Sequence, residues 1–132
     1  MAYNLLKGKR GIIFGALNEQ SIAWKVAERA VAEGAEIILT NTAVALRIGT
    51  TLKLAEQYGT IVVPADATSV EDLQNLVDKA IEYFGGKIDF VLHAVGMSPN
   101  VRKNIPYESL DYNNFVKTID ISALSFHKLM QV

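Results

Sequence analysis

Gly11-Ile12-Ile13-Phe14-Gly15-Ala16-Leu17-Asn18-Glu19-Gln20-Ser21-Ile22-Ala23 is the stretch that decides the fold. An apolar run ends at Gly15, a short polar loop follows, and Ser21 opens an amphipathic run from Ile22 to Val31. The order is strand, tight turn, helix start. A glycine at such a turn lets backbone come close to a ligand, and the first N–H groups of a helix offer donors to an anion. Gly15, Ala16, Ser21 and Ile22 therefore have two readings: a seat for a pyrophosphate and ribose, or a turn glycine followed by an N-cap serine. The place of the stretch, at the head of a strand–helix series, favours the first. The spacing G-x-G-x-x-G is absent, so the loop alone does not name its ligand.

Outward from this stretch, apolar strands alternate with amphipathic helices. Gly11 to Phe14 reads as strand 1 and Ser21 to Glu33 as the first helix, which Gly34 stops. Glu36 to Thr40 is strand 2. A weaker helix from Ala43 to Tyr58 is interrupted at Gly49-Thr50-Thr51, and Gly59 ends it. Thr60 to Pro64 is strand 3. Thr68 and Ser69 with Glu71 and Asp72 have capping-box spacing, and Val70, Leu73, Leu76, Val77, Ala80, Ile81 and Phe84 recur at helical intervals. Gly85-Gly86 stops that helix, and Ile88 to His93 is strand 4. A loop from Gly96 to about Leu110 carries two prolines, and a last helix runs from about Tyr112 onward.

Such a series predicts an α/β fold: a Rossmann-like, doubly wound parallel sheet in three αβα layers. Right-handed crossovers give the strand order 3-2-1-4, with ligands expected at the carboxyl ends of the strands near the switch point between strands 1 and 4. The last helix is still apolar at Phe126, Leu129, Met130 and Val132, and strand 4 is left as a hydrophobic edge. The expectation is that residues 1–132 are the N-terminal part of a single larger domain.

Composition removes several function classes. Half of the 132 residues are hydrophobic, a fifth are charged and the net charge is −1, so a nucleic acid or an anionic membrane surface is not an expected partner. Cysteine is absent, which excludes disulfides, thiolate nucleophiles and cysteine-held metals. His93 and His127 stand far apart without ligand partners at helical spacing, so no metal site is expected. No apolar run approaches the ~20 residues that span a bilayer. The N-terminus lacks the layout of a signal peptide, and the expected location is cytoplasmic.

The other strand ends supply candidate contacts. Thr40-Asn41-Thr42 ends strand 2 without the Asp or Glu that often meets the ribose of NAD, and without a base for a 2′-phosphate. The balance leans to NAD, with NADP left open. At the end of strand 3, Asp66 suits either an adenine amine or the N-terminus of the next helix. At the end of strand 4, Gly96 lets backbone approach a ribose and nicotinamide, and His93 reads as structural rather than as a general base.

Four segments together carry a resemblance: Gly15-Ala-Leu-Asn-Glu-Gln-Ser21-Ile22-Ala23, Asp66-Ala67, His93-Ala94-Val95-Gly96 and Asp120-Ile121-Ser122. The chain resembles the bacterial enoyl-acyl-carrier-protein reductases, a divergent branch of the short-chain dehydrogenase/reductase superfamily. The commoner superfamily loop is Gly-x-x-x-Gly-x-Gly; here Glu19 and Ser21 replace the second and third glycines, as in that branch. The resemblance implies reduction of the trans-2 double bond of an acyl chain on acyl carrier protein, with hydride from NAD(H), in fatty-acid synthesis. It implies that Gly15, Ser21 and Ile22 hold the pyrophosphate and ribose, and that Asp66 and Ala67 hold the adenine. Val95 and Gly96 lie along the cofactor in that picture, and Ser98 opens the acyl pocket. Thr42 stands where the family has a ribose or adenine contact, a glutamine in many members. A homo-oligomer, commonly a tetramer, is also implied.

The family's catalytic pair is Tyr-x6-Lys, and no tyrosine here has a lysine at that offset. Tyr3…Lys7 and Tyr83…Lys87 have the Tyr-x3-Lys spacing of other branches, but one precedes strand 1 and the other leads into strand 4. No catalytic residue is therefore assigned, and the 132-residue stretch alone is expected to be inactive. The rivals are another short-chain reductase acting on a carbonyl or alcohol, which the Ser21 loop disfavours, and a non-catalytic nucleotide-binding module, which the apolar last helix disfavours.

Overall fold

Four parallel strands, β1 (Arg10–Phe14), β2 (Glu36–Asn41), β3 (Val62–Pro64) and β4 (Phe90–His93), form one sheet in the order β3-β2-β1-β4. The structure, a computed structural model, describes residues 1–132. Ile12 of β1 pairs with Ile38 of β2 on one side and with Val91 of β4 on the other. Side chains alternate across a strand, so neighbouring residues of β1 feed opposite faces. Ile12 and Phe14 join Ile38 and Val63 in a core beneath Leu73, Leu76, Ala80 and Phe84 of α4 (Val70–Phe84). Ile13 joins Ile37 and Leu39 in a second core, against Ala23, Trp24 and Ala27 of α1 (Ile22–Ala32) and Leu54 of α3 (Thr51–Tyr58). The three-layer α/β arrangement and the order 3-2-1-4 are those expected from the sequence.

Three local departures have physical causes. β3 starts at Val62, two residues later than expected. The Thr60 N–H instead closes the end of α3 on Ala55 O (3.0 Å), and its hydroxyl donates to Ile37 O. The stretch after Gly96 is not wholly loop. Ser98 Oγ accepts from Val101 N (3.4 Å) and opens a short α5 (Pro99–Arg102), and Tyr107–Ser109 makes a 3₁₀ turn. Buried Asn100 then ties this segment down, donating to Asp111 O at 3.1 Å and accepting from Asp111 N at 3.2 Å.

The last helix is not continuous α. It comprises α6 (Tyr112–Ile119), a π-helical turn Asp120–Leu124, and α7 (Ser125–Gln131). Such a turn inserts a residue and re-aims the side chains that follow it. The interruption expected at Gly49-Thr50-Thr51 is real: it separates α2 (Ala43–Ile48) from α3.

Candidate functional site

The carboxyl end of β1 cannot be built from an ordinary residue. Gly15 has φ +103°, and a Cβ there would lie 2.1 Å from Ala94 O. Both the backbone region and the close approach to the end of β4 require glycine. Ladder-like bonds run past the strand ends: Gly15 N donates to Thr40 O (3.1 Å), Ala94 N to Phe14 O (3.1 Å) and Ala65 N to Asn41 O (3.0 Å).

The loop from Gly15 to Ser21 closes on itself. Ser21 Oγ accepts from Leu17 N (3.1 Å) and Asn18 N (3.0 Å), and Asn18 Oδ1 accepts from Gln20 N (3.0 Å). Ser21 holds the N-cap position of α1, yet its side chain makes no capping bond to the helix. Its hydroxyl faces back into the loop instead. The N–H groups of Ile22, Ala23 and Trp24 consequently have no protein acceptor. An eleven-residue helix thus opens on the cleft with donors free and its positive dipole end forward.

The opposite wall comes from β4 and the π turn. Ser122 Oγ accepts from Met97 N (3.2 Å), which anchors the strand's exit, and above Gly96 the nearest atom to a built Cβ is Ser122 Oγ at 3.8 Å. Ser125 Oγ donates to Ile121 O (2.6 Å), since a carbonyl only accepts. The 2.7 Å bond between Ser125 Oγ and His93 Nε2 is then donated by the histidine. This fixes the neutral tautomer with the proton on Nε2. Burial pushes the His93 pKa below its ordinary value, against an opposing backbone hydrogen bond. The ring also lies edge-on to Phe126, with centroids 5.5 Å apart. The tie to Ser125 agrees with the structural role read from the sequence, although the imidazole also borders the cleft.

The cleft encloses about 390 Å³. Of the residues expected at the site, Gly15, Ser21, Ile22, Val95 and Gly96 line it together. Thr42, Asp66, Ala67 and Ser98 lie outside that lining. Thr42 Oγ1 accepts from Ala45 N (3.2 Å) at the start of α2. Asp66 is exposed; its Oδ1 accepts from Thr68 N (2.8 Å) and Thr68 Oγ1 (2.7 Å) and leaves Oδ2 without a protein donor. Ala67 is buried in the core under α4. Ser98 caps α5. Ser122 and Ala94 line the cleft without having been assigned a role from sequence. Ser122 belongs to the triplet Asp120-Ile121-Ser122, but a continuous helical pattern does not reveal which face it takes; the π turn does. The two Tyr-x3-Lys pairs are remote from the cleft. The Tyr83 hydroxyl meets Gly59 O (3.4 Å) near the amino ends of the strands, and Tyr3 sits on the C-terminal end of α1 through Glu33.

A parallel sheet of this order, with a glycine turn and an open helix N-terminus at the switch point between β1 and β4, places the chain in the Rossmann-like class of α/β proteins. The family model described as "Enoyl-(Acyl carrier protein) reductase" matches residues 15–132. The chain belongs to that family. It is 36% identical over 125 residues to "Enoyl-[acyl-carrier-protein] reductase [NADH] 2" of Rhizobium meliloti, covering 95% of this chain and 46% of that protein. It is 39% identical over 127 residues to that organism's reductase 1, with the same coverage. Among solved structures, a FabI–NADH complex from Alistipes finegoldii is 73% identical with TM-score 0.96, covering 98% of this chain and 46% of the other. The Anaplasma phagocytophilum reductase in complex with NAD is 31% identical with TM-score 0.85, covering 99% and 50%. The chain spans about half the length of the relatives it matches.

Proposed function

We propose that the cleft seats NAD(H) and that this chain furnishes the cofactor-binding half of an enoyl-acyl-carrier-protein reductase. The observation that carries the reading is the open end of α1: three N–H groups without acceptors beside a glycine whose Cβ has no room. These residues fit a dinucleotide. The free donors and the helix dipole suit a pyrophosphate. The uncommitted Asp66 Oδ2 suits an adenine amine, and Ala67 follows it in the chain at the end of β3. Gly96 offers an open backbone edge for the ribose and nicotinamide, Val95 an apolar one, and Ser98 stands where the acyl pocket would begin. The absence of a carboxylate at the end of β2 leaves NADP(H) possible, while the relatives named for NADH favour NAD(H).

When bound, NADH would supply the hydride for reduction of the enoyl double bond, a proton from another source completing it. The part of this chain's residues is to bind and orient. Ser21 keeps the loop closed so that the α1 donors face outward. His93, neutral and held by Ser125, fixes the end of β4 without offering a cation. No residue here fills the tyrosine and lysine roles of Tyr-x6-Lys, so this half positions and does not protonate. The thioester substrate arrives on acyl carrier protein. Phe126, 47% exposed, and Met130, 64% exposed, are compatible with a homo-oligomeric assembly through the last helical segment and equally with packing on the other half of the enzyme. The test is turnover: the purified 132-residue chain, given NADH and a trans-2-enoyl thioester, is expected to oxidise none above buffer. Sustained NADH oxidation by this chain alone would overturn the division of labour.

A further inference from the structure

The break between α2 and α3 is joined to the phosphate-side loop by three features. Thr51, fully buried, donates its hydroxyl to Ala16 O. Thr50 N donates to Leu17 O at 2.8 Å. Gly49 lets Leu17 O come close: a Cβ there would stand 2.4 Å from it. In a trans peptide the C=O and the following N–H point to opposite sides of one rigid plane. The Ala16 and Leu17 carbonyls belong to the same planes as the Leu17 and Asn18 N–H groups, and those N–H groups donate to Ser21 Oγ. Two successive peptides are thus gripped at both edges, by the elbow on the carbonyl side and by Ser21 on the amide side.

We propose that this Gly49-Thr50-Thr51 elbow is a positioning element for the cofactor site, and that Thr51 sets the place of Ser21, and with it the open end of α1, through the loop. The inference rests on the reading that the cleft takes a pyrophosphate. It also gives the break in the helix a purpose. A continuous helix through residues 49–51 would put the Thr50 N–H into its own ladder and take it from Leu17 O. Thr51 touches no ligand and acts through the loop.

The test uses Thr51→Val in the full chain, which keeps the shape and removes the donor. NADH and ADP affinities are expected to fall about tenfold, roughly 1.4 kcal/mol. Adenosine, which has no phosphate, is expected to keep its affinity, and Thr51→Ser is expected to restore NADH binding. Gly49→Ala, which leaves the hydroxyl and crowds Leu17 O, serves as the second variant and is expected to show the same phosphate-selective loss, so a Thr51→Val chain that does not fold leaves the proposal testable. Wild-type NADH affinity in Thr51→Val, or equal loss of ADP and adenosine in both variants, overturns the proposal. A folded wild-type chain that binds no NADH refutes instead the reading of the cleft.

Discussion

His93 carries two consequences of one placement. Its Nε2 proton is committed to Ser125, and its ring is packed between Phe14 and Phe126. Burial lowers its pKa below the ordinary 6.5. The unfolded chain therefore takes up the proton first as pH falls. Its contribution to stability is full above about pH 6.5 and is lost as pH drops from there toward the lowered folded value. The prediction is that urea unfolding at pH 5.5 shows less stability than at pH 7.5, and that His93→Gln flattens this difference. An unchanged difference in the variant contradicts the account. The Glu33 and Asp89 carboxylates titrate in a lower window. Glu33 is pushed up by burial, but donors from Leu5 and Tyr3 and the Arg29 charge outweigh this and hold it low. Asp89 is held low first by the Arg10 N–H. Asp66 has two separable roles. Asp66→Ala is expected to weaken NADH binding roughly tenfold through loss of the adenine acceptor. Loss of the Thr68 turn appears separately in the melting temperature, and unaltered NADH affinity contradicts the adenine role.

At the scale of elements, α4 was the most legible part of the sequence. Its apolar residues recur at helical spacing, and those that meet the sheet are the buried Leu73, Leu76, Ala80 and Phe84. Ser69 Oγ accepts from Asp72 N (3.2 Å), as the capping spacing requires. The reciprocal half of the box is missing because the Asp72 carboxylate accepts from Asp66 N (2.9 Å), tying the helix to the end of β3. Ser69→Ala is expected to cost about 1 kcal/mol. Leu76→Ala is expected to cost about 3 kcal/mol, since it deletes a fully buried side chain and leaves a cavity. Both are read by denaturant unfolding, and a Leu76 variant as stable as wild type contradicts the packing described. The π turn at Asp120–Leu124 was not legible. A shift in backbone bonding leaves apolar spacing almost unmarked, so the faces of Ser122 and Ser125 emerge only in three dimensions. The elbow at Gly49-Thr50-Thr51 was visible as a break. Its partners Ala16 and Leu17 are more than thirty residues away, and local pattern says nothing of them.

At the scale of the whole molecule, alternation in β1 splits the apolar residues between two cores, which forces helices onto both faces of the sheet. Right-handed crossovers, taken with a doubly wound sheet, favour the observed strand order. The site divides along the same line. Gly15, Ser21, Ile22, Val95 and Gly96 were legible as a group because they end the two central strands or open the helix that follows, and topology brings those points together. Thr42, Asp66, Ala67 and Ser98 lie at outlying strand ends or on a short helix, where each also has a local structural task. The central claim is that the open end of α1 seats NAD(H). Trp24, the single tryptophan, follows the cleft-lining Ala23 in the first turn of that helix, so its emission reports on the site. NADH titrated into the folded chain is expected to quench Trp24 saturably and to show energy-transferred nicotinamide emission, both reversed by excess NAD⁺. Quenching that rises without saturation and is indifferent to NAD⁺, in a chain whose Trp24 emission is native, would contradict it.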